Sequence, residues 1–208
     1  MKQTLDIENW SRKDHFDFFK QFEEPFFGVT VNMDCTIAFE KAKAAGVSFF
    51  LWYLYRSLFA ANAIEPFKYR IEENNVIVYD AVHASPTINR PDGTFGFSYL
   101  PYQTAFAKFL ETAQKEIDAV QNTSGLIPAM SNENVIHYSS IPWIHFTSLS
   151  HARAFSYKSS IPKISFGKML TEGNKKLMPV SIHVHHALMD GFHVGAYIDL
   201  FQQLMNTD

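Results

Sequence analysis

Apolar and polar positions alternate through residues 27–35 (FGVTVNMDC) with the two-residue period of a strand. Residues 36–45 then switch to a spacing that predicts a helix ended by Gly46. Ahead of this pair, residues 9–22 set Phe16, Phe18, Phe19 and Phe22 around a short helix, with Asn9 or Ser11 as its cap. The run SFFLWYLYRSLFAANAI is aromatic enough for a buried strand but too long for one, and its Leu, Ala and Asn content suits a buried helix. Residues 69–82 carry a polar turn at Glu73 to Asn75 and predict a hairpin, and residues 94–99 continue the strand pattern. The clearest amphipathic helix is 104–121, where Phe106, Phe109, Leu110, Ala113 and Ile117 share one side and charges the other. Strands are predicted at 141–149, 163–169 and 178–186, and a last helix at 194–205. Together these elements predict an α/β (α+β) fold, a two-layer sandwich with helices packed on a mixed β-sheet.

Composition narrows the partners. Of the 208 residues 47% are apolar and 15% aromatic, which is material for a sizeable core in a single domain spanning residues 1–208. A net charge of -3 supplies no broad cationic field, so neither nucleic acid nor an anionic membrane is an expected partner. The longest greasy stretch, residues 47–54, is too short to span a bilayer, and the N-terminus has no apolar leader. Cys35 is the only cysteine, which excludes an internal disulfide and a Cys-rich zinc site and points to a reducing, cytoplasmic setting.

The densest chemistry is HVHHALMDGFH, residues 183–193, which sets four histidines and an aspartate between an apolar strand and a helix. Functional side chains concentrate at such connections. In an extended strand His183 and His185 project to one face and His186 to the other, so the adjacent histidines cannot share one role. As metal ligands, His183 with His185, or His186 with Asp190, supply only pairs where an open site needs three convergent ligands, and no metal is expected. Any one of these histidines could simply satisfy hydrogen bonds in an aromatic core. Asp190-Gly191 adds a reason for a site, because the glycine permits a tight turn that points the carboxylate back at a partner while His186 faces a cleft. A neutral imidazole accepts a proton at physiological pH, and CoA-dependent acyltransferases use the HxxxDG pattern to deprotonate an acceptor hydroxyl or thiol.

HVHHALMDGFHV resembles the C-terminal signature of chloramphenicol acetyltransferases, and IPWIHFTSL resembles their central PWxxFxS motif. NWSRKDHFDFF is similar to the family's Trp-x-Arg-x-x-His-Phe segment. ISFGKMLTEGNKKLMPVSIHVHH follows its strand-turn-strand approach to the catalytic histidine, so the resemblance covers nearly the whole chain. It implies the family's fold and activity: acetyl transfer from acetyl-CoA, a co-substrate, to a hydroxyl of an amphenicol such as chloramphenicol, in a ternary complex. By the same resemblance His186 is the general base and Asp190 a buried carboxylate paired with Arg12, a pair that could also be purely structural. Ser148 matches the hydroxyl that donates to the oxyanion, and Ser165 stands where the family has a threonine holding an ordered water. Lys168 matches a basic position near the coenzyme tunnel, and Phe19, Glu23 and Phe27 fall at acceptor-binding positions. The family forms homotrimers whose sites lie between subunits, one chain offering the histidine and its neighbour the substrate pocket and oxyanion serine.

The chain also departs from the family pattern. Phe19 stands where a tyrosine is frequent, Glu23, Glu24 and Pro25 replace a mostly apolar or neutral loop, and Ser48 replaces a lysine near the coenzyme. Those changes leave open transfer to another alcohol, amine or thiol, as in the catalytic cores of lipoyl acyltransferases, or a catalytically silent small-molecule binder.

Overall fold

The structure, a computed structural model, describes residues 1–126, 133–154, 156 and 158–207. Its organising element is a long strand, β10 (Lys175–His185), which pairs antiparallel with β2 (Phe26–Asp34) on one side and β8 (Lys163–Gly167) on the other. The sheet continues through β7 (Val135–Ile141), β5 (His83–Asn89) and β6 (Phe95–Phe97), with β9 (Leu170–Glu172) pairing back on β10. β7 runs parallel to both β8 and β5 while the other pairs are antiparallel, so the sheet is mixed. A second small sheet joins β1 (Lys2–Thr4), β4 (Asn75–Tyr79) and β3 (Tyr69–Glu72).

One face of the large sheet is the core. Val180, Ile182 and Val184 of β10, Ile164 and Phe166 of β8, and Ile136 and Tyr138 of β7 are buried together. They pack with α3 (Phe49–Ala63) and α5 (Gly191–Asn206), while α2 (Thr36–Ala44) and α4 (Phe106–Gln121) complete the helical layer. Because side chains alternate, the residues between these project to the opposite side. Register then lines up two polar rows there: Ser139, Ser165, Ser181 and Thr30, and beside them His137, Lys163, His183 and Gly28. Among the described residues, no helix is long and apolar enough to cross a membrane.

Several expectations need correction. The strand expected at 141–149 is instead β7, ending at Ile141; Pro142 cannot donate to a ladder, and the Ile144 N–H turns back to the Ile141 carbonyl at 3.2 Å. β5 was not expected, since Pro86 interrupts its pattern. The first helix is shorter than residues 9–22: α1 covers Lys13–Phe19, with Arg12 at the N-cap position, and the Asn9 amide donates to Asp6 at 2.7 Å rather than capping.

The polar face has a consequence for stability. Burial pushes the imidazoles of His137, His151 and His185 down to about 4, helped by positive or potentially positive neighbours: Lys163 near the first, His183 and Lys163 near the second, Arg153 near the third. Each folded value lies below the ordinary 6.5, so the unfolded chain takes up these protons first as pH falls. Their contribution is fully present above about 6.5 and is lost as pH falls toward about 4. Thermal melts across that window are expected to show a steadily falling midpoint. A flat profile would mean these rings are solvated.

Candidate functional site

β10 ends at His185, and His186 is the first residue beyond it. Its backbone is held from two sides: the N–H donates to the Pro25 carbonyl at 2.8 Å, and the His186 carbonyl accepts from an Arg12 terminal nitrogen at 3.3 Å. The ring lies flat on Phe19, with centroids 3.9 Å apart and planes 9° from parallel, and meets Phe27 at 4.7 Å. Two of the three expected acceptor-binding residues therefore touch the imidazole. The third, Glu23, is exposed in the segment between α1 and β2. His186 Nδ1 is enclosed and has no hydrogen-bond partner among the described residues.

Asp190 closes the same turn by capping α5: its carboxylate accepts the Phe192 N–H at 3.0 Å, and its own N–H donates to His193 Nδ1 at 3.2 Å. It forms a close ion pair with Arg12. Burial raises the carboxyl's pKa, but the Arg12 hydrogen bond and charge, His193 and the Phe192 N–H outweigh it, and the group sits below its ordinary value. Asp190 is only partly buried, since 32% of its side chain remains exposed, against the buried carboxylate expected from the sequence. Gly191 does not make the tight turn expected of it either; it opens α5 with no left-handed backbone angle. The Asp-Gly pair is thus a helix start, and Arg12 clips that start to the His186 carbonyl.

The second cluster is carried by β8 and the loop that follows β7. Ser148 is exposed in the loop that follows β7. That loop is tied to β8 and its end: the Lys168 N–H donates to Ile144 O at 2.8 Å, and His145 Nδ1 lies 3.0 Å from Lys168 O. Gly167 permits this approach, because a Cβ there would lie 2.8 Å from the Phe146 ring and 2.9 Å from Ile144 O. Lys168 itself is exposed. Ser165, one turn of the pleat earlier on β8, is fully buried, and its hydroxyl lies 3.0 Å from His151 Nε2.

Within one chain Ser165 and His186 stand apart. Ser165 pairs with Ser181, and His186 lies five residues further along the chain from Ser181. At about 3.3 Å per residue that is roughly 16 Å, too far for an imidazole and a serine to act on one small group. Among the described residues no group of His, Cys, Asp and Glu is arranged to hold a metal.

Sequence reading passed over two neighbours. Arg153 pairs with Glu24 and stacks on Phe26 at 3.9 Å, so the Glu24 charge is neutralised in place. His151 reaches Ser165 from the same loop. Neither carries a periodic signal, because both act from irregular backbone.

Comparison with known proteins covers the whole of this architecture. The profile described as chloramphenicol acetyltransferase matches residues 1–202. The chloramphenicol acetyltransferase of Proteus mirabilis is 30% identical over 96% of this chain and 93% of its own length, and that of Campylobacter coli is 32% identical over 97% of each. A solved chloramphenicol acetyltransferase structure superposes with a TM-score of 0.91 at 33% identity, covering 99% of this chain and 100% of the other. A probable dihydrolipoamide acetyltransferase from Listeria monocytogenes, with a TM-score of 0.66 at 12% identity over 92% of this chain and 88% of its own, shares the fold alone. With whole-length sequence matches and this superposition in agreement, the chain belongs to the chloramphenicol acetyltransferase family of acyltransferases.

Proposed function

We propose that the protein transfers an acetyl group from acetyl-CoA to a hydroxyl of an amphenicol such as chloramphenicol, with both substrates bound together and no covalent acyl-enzyme. The observation that carries this reading is the His186 ring, presented just past β10 and braced by Phe19 and Phe27, in a chain whose relatives are named for that reaction. Nδ1 is enclosed, so Nε2 is the nitrogen that meets the acceptor. Nε2 takes the acceptor's hydroxyl proton as that oxygen attacks the thioester carbonyl. Ser148 donates to the oxyanion that forms. Collapse expels the CoA sulfur, which recovers the proton from His186, giving an acetyl ester and free CoA.

Arg12 and Asp190 act as positioning residues in this scheme, because they hold the turn and do not touch the ring. Lys168 receives the coenzyme and Ser165 holds a water beside the intermediate. The separation of His186 from Ser165 within one chain supports a trimer in which His186 of one subunit faces Ser148 of the next. The lone, buried Cys35 thiol suits a reducing cytoplasm. The Arg153–Glu24 pair removes one of the two acidic charges that would disfavour a neutral acceptor.

Incubating the protein with acetyl-CoA, chloramphenicol and a thiol reagent tests the substrate assignment. Release of CoA thiol that depends on chloramphenicol is expected. No release with chloramphenicol, but release with another alcohol, amine or thiol, would move the assignment to that acceptor. Ligand binding without release across the whole panel would make the protein a silent binder.

A further inference from the structure

Ser165 and the Ser148 loop are joined by a pair of imidazoles that the proposed mechanism does not use. His151 Nε2 lies 3.0 Å from Ser165 Oγ. Its ring meets His183 edge to face, with centroids 4.6 Å apart and planes at 87°. His183 in turn lies 3.0 Å from Ser181 Oγ through Nε2 and sits beside the backbone of Leu149, the residue after Ser148. On the far side of His183, β2 offers Gly28, where a Cβ would stand 2.4 Å from the ring. The missing side chain therefore seats His183, His183 seats His151, and His151 reaches a fully buried serine.

The direction of that last hydrogen bond follows from what surrounds the ring. Burial, with His183 and Lys163 nearby, pushes His151 down to about 4, so the ring is neutral at physiological pH and carries one N–H. Nδ1 is enclosed without a partner among the described residues. An orphaned buried N–H is rarer in folded proteins than an unfilled acceptor site, so the proton belongs on Nε2, where it is donated to Ser165. A serine oxygen that accepts from His151 keeps its own hydrogen free to donate elsewhere.

We propose that His151 is a positioning residue for acyl transfer, which fixes Ser165 as a hydrogen-bond donor directed outward, toward the charge that develops in the cleft. This rests on the acyl-transfer reading above, with Ser165 acting through the water assigned to it there. It gives His151, a loop residue outside every motif of the chain, a defined task.

Two measurements on the intact protein test it. In nitrogen-resolved imidazole spectra at neutral pH, His151 is expected as the Nε2–H tautomer, and Ser165→Ala is expected to shift its Nε2 resonance. An Nδ1–H tautomer would overturn the proposal whether or not the protein turns over. In kinetics, His151→Ala is expected to lower kcat about 3- to 10-fold with KM little changed, and to have no further effect in a Ser165→Ala background. His151→Gln, which retains an N–H donor, is expected to recover part of the loss. An equal loss from His151→Ala in both backgrounds would make the residue merely structural. Absence of turnover in the unmutated protein would instead strike the acyl-transfer reading, and the spectra would still decide whether His151 donates to Ser165.

Discussion

His186→Ala is expected to lower kcat for acetyl transfer by about 100- to 10,000-fold while the chain still folds. The factor is what a positioned proton acceptor contributes when the nucleophile is an alcohol, which at neutral pH is almost wholly protonated. The turn that carries His186 does not depend on its ring: Pro25 O, Arg12 and the Asp190 cap all grip backbone or neighbouring groups. Losing the stack on Phe19 and the contact with Phe27 is expected to cost about 1 kcal/mol of stability, visible as a small drop in thermal midpoint. Steady-state kinetics and a melt on the same preparation check both halves. Activity within tenfold of the unmutated protein would remove His186 as the base.

Ser148→Ala is expected to lower kcat by about 100- to 1,000-fold and to leave the KM for both substrates nearly unchanged. A hydroxyl that donates to an oxyanion does little for the ground-state carbonyl, so its loss appears in the barrier rather than in binding. Ser148 sits exposed on a loop whose position is set by Lys168, His145 and Gly167, none of which the substitution touches. A mainly raised KM would place Ser148 in substrate binding instead.

Much of this was legible in the sequence, for identifiable reasons. β2, β10 and α5 were readable because each turns an apolar face to the core, only partly buried in β2, and so repeats its period. The Phe19, Phe27 and His186 cluster was suggested by motif resemblance, and the structure brings those rings into contact. β7 was displaced in the reading because its outward positions, His137 and Ser139, dilute the apolar signal, while the greasy IPWI that follows mimics a strand. The Arg12–Asp190 pair was expected from the family resemblance alone and is present; it joins residues 178 positions apart, a separation that no local pattern encodes. His151 was overlooked for a similar reason: its partner Ser165 lies 14 positions on, and the contact exists only because β8 runs past the loop. Gly28 reads as an ordinary strand glycine until the His183 ring is seen filling the space beside it.

The most direct test of a site shared between subunits uses two inactive chains. His186→Ala and Ser148→Ala proteins, each nearly dead alone, are unfolded together in equal amounts and refolded. If the imidazole of one subunit works with the hydroxyl of the next, random assembly restores both groups in about a quarter of the sites, and activity returns to about that fraction of the unmutated level. Activity that stays at the level of the separate variants, in a mixture shown to contain hybrid oligomers, would contradict it.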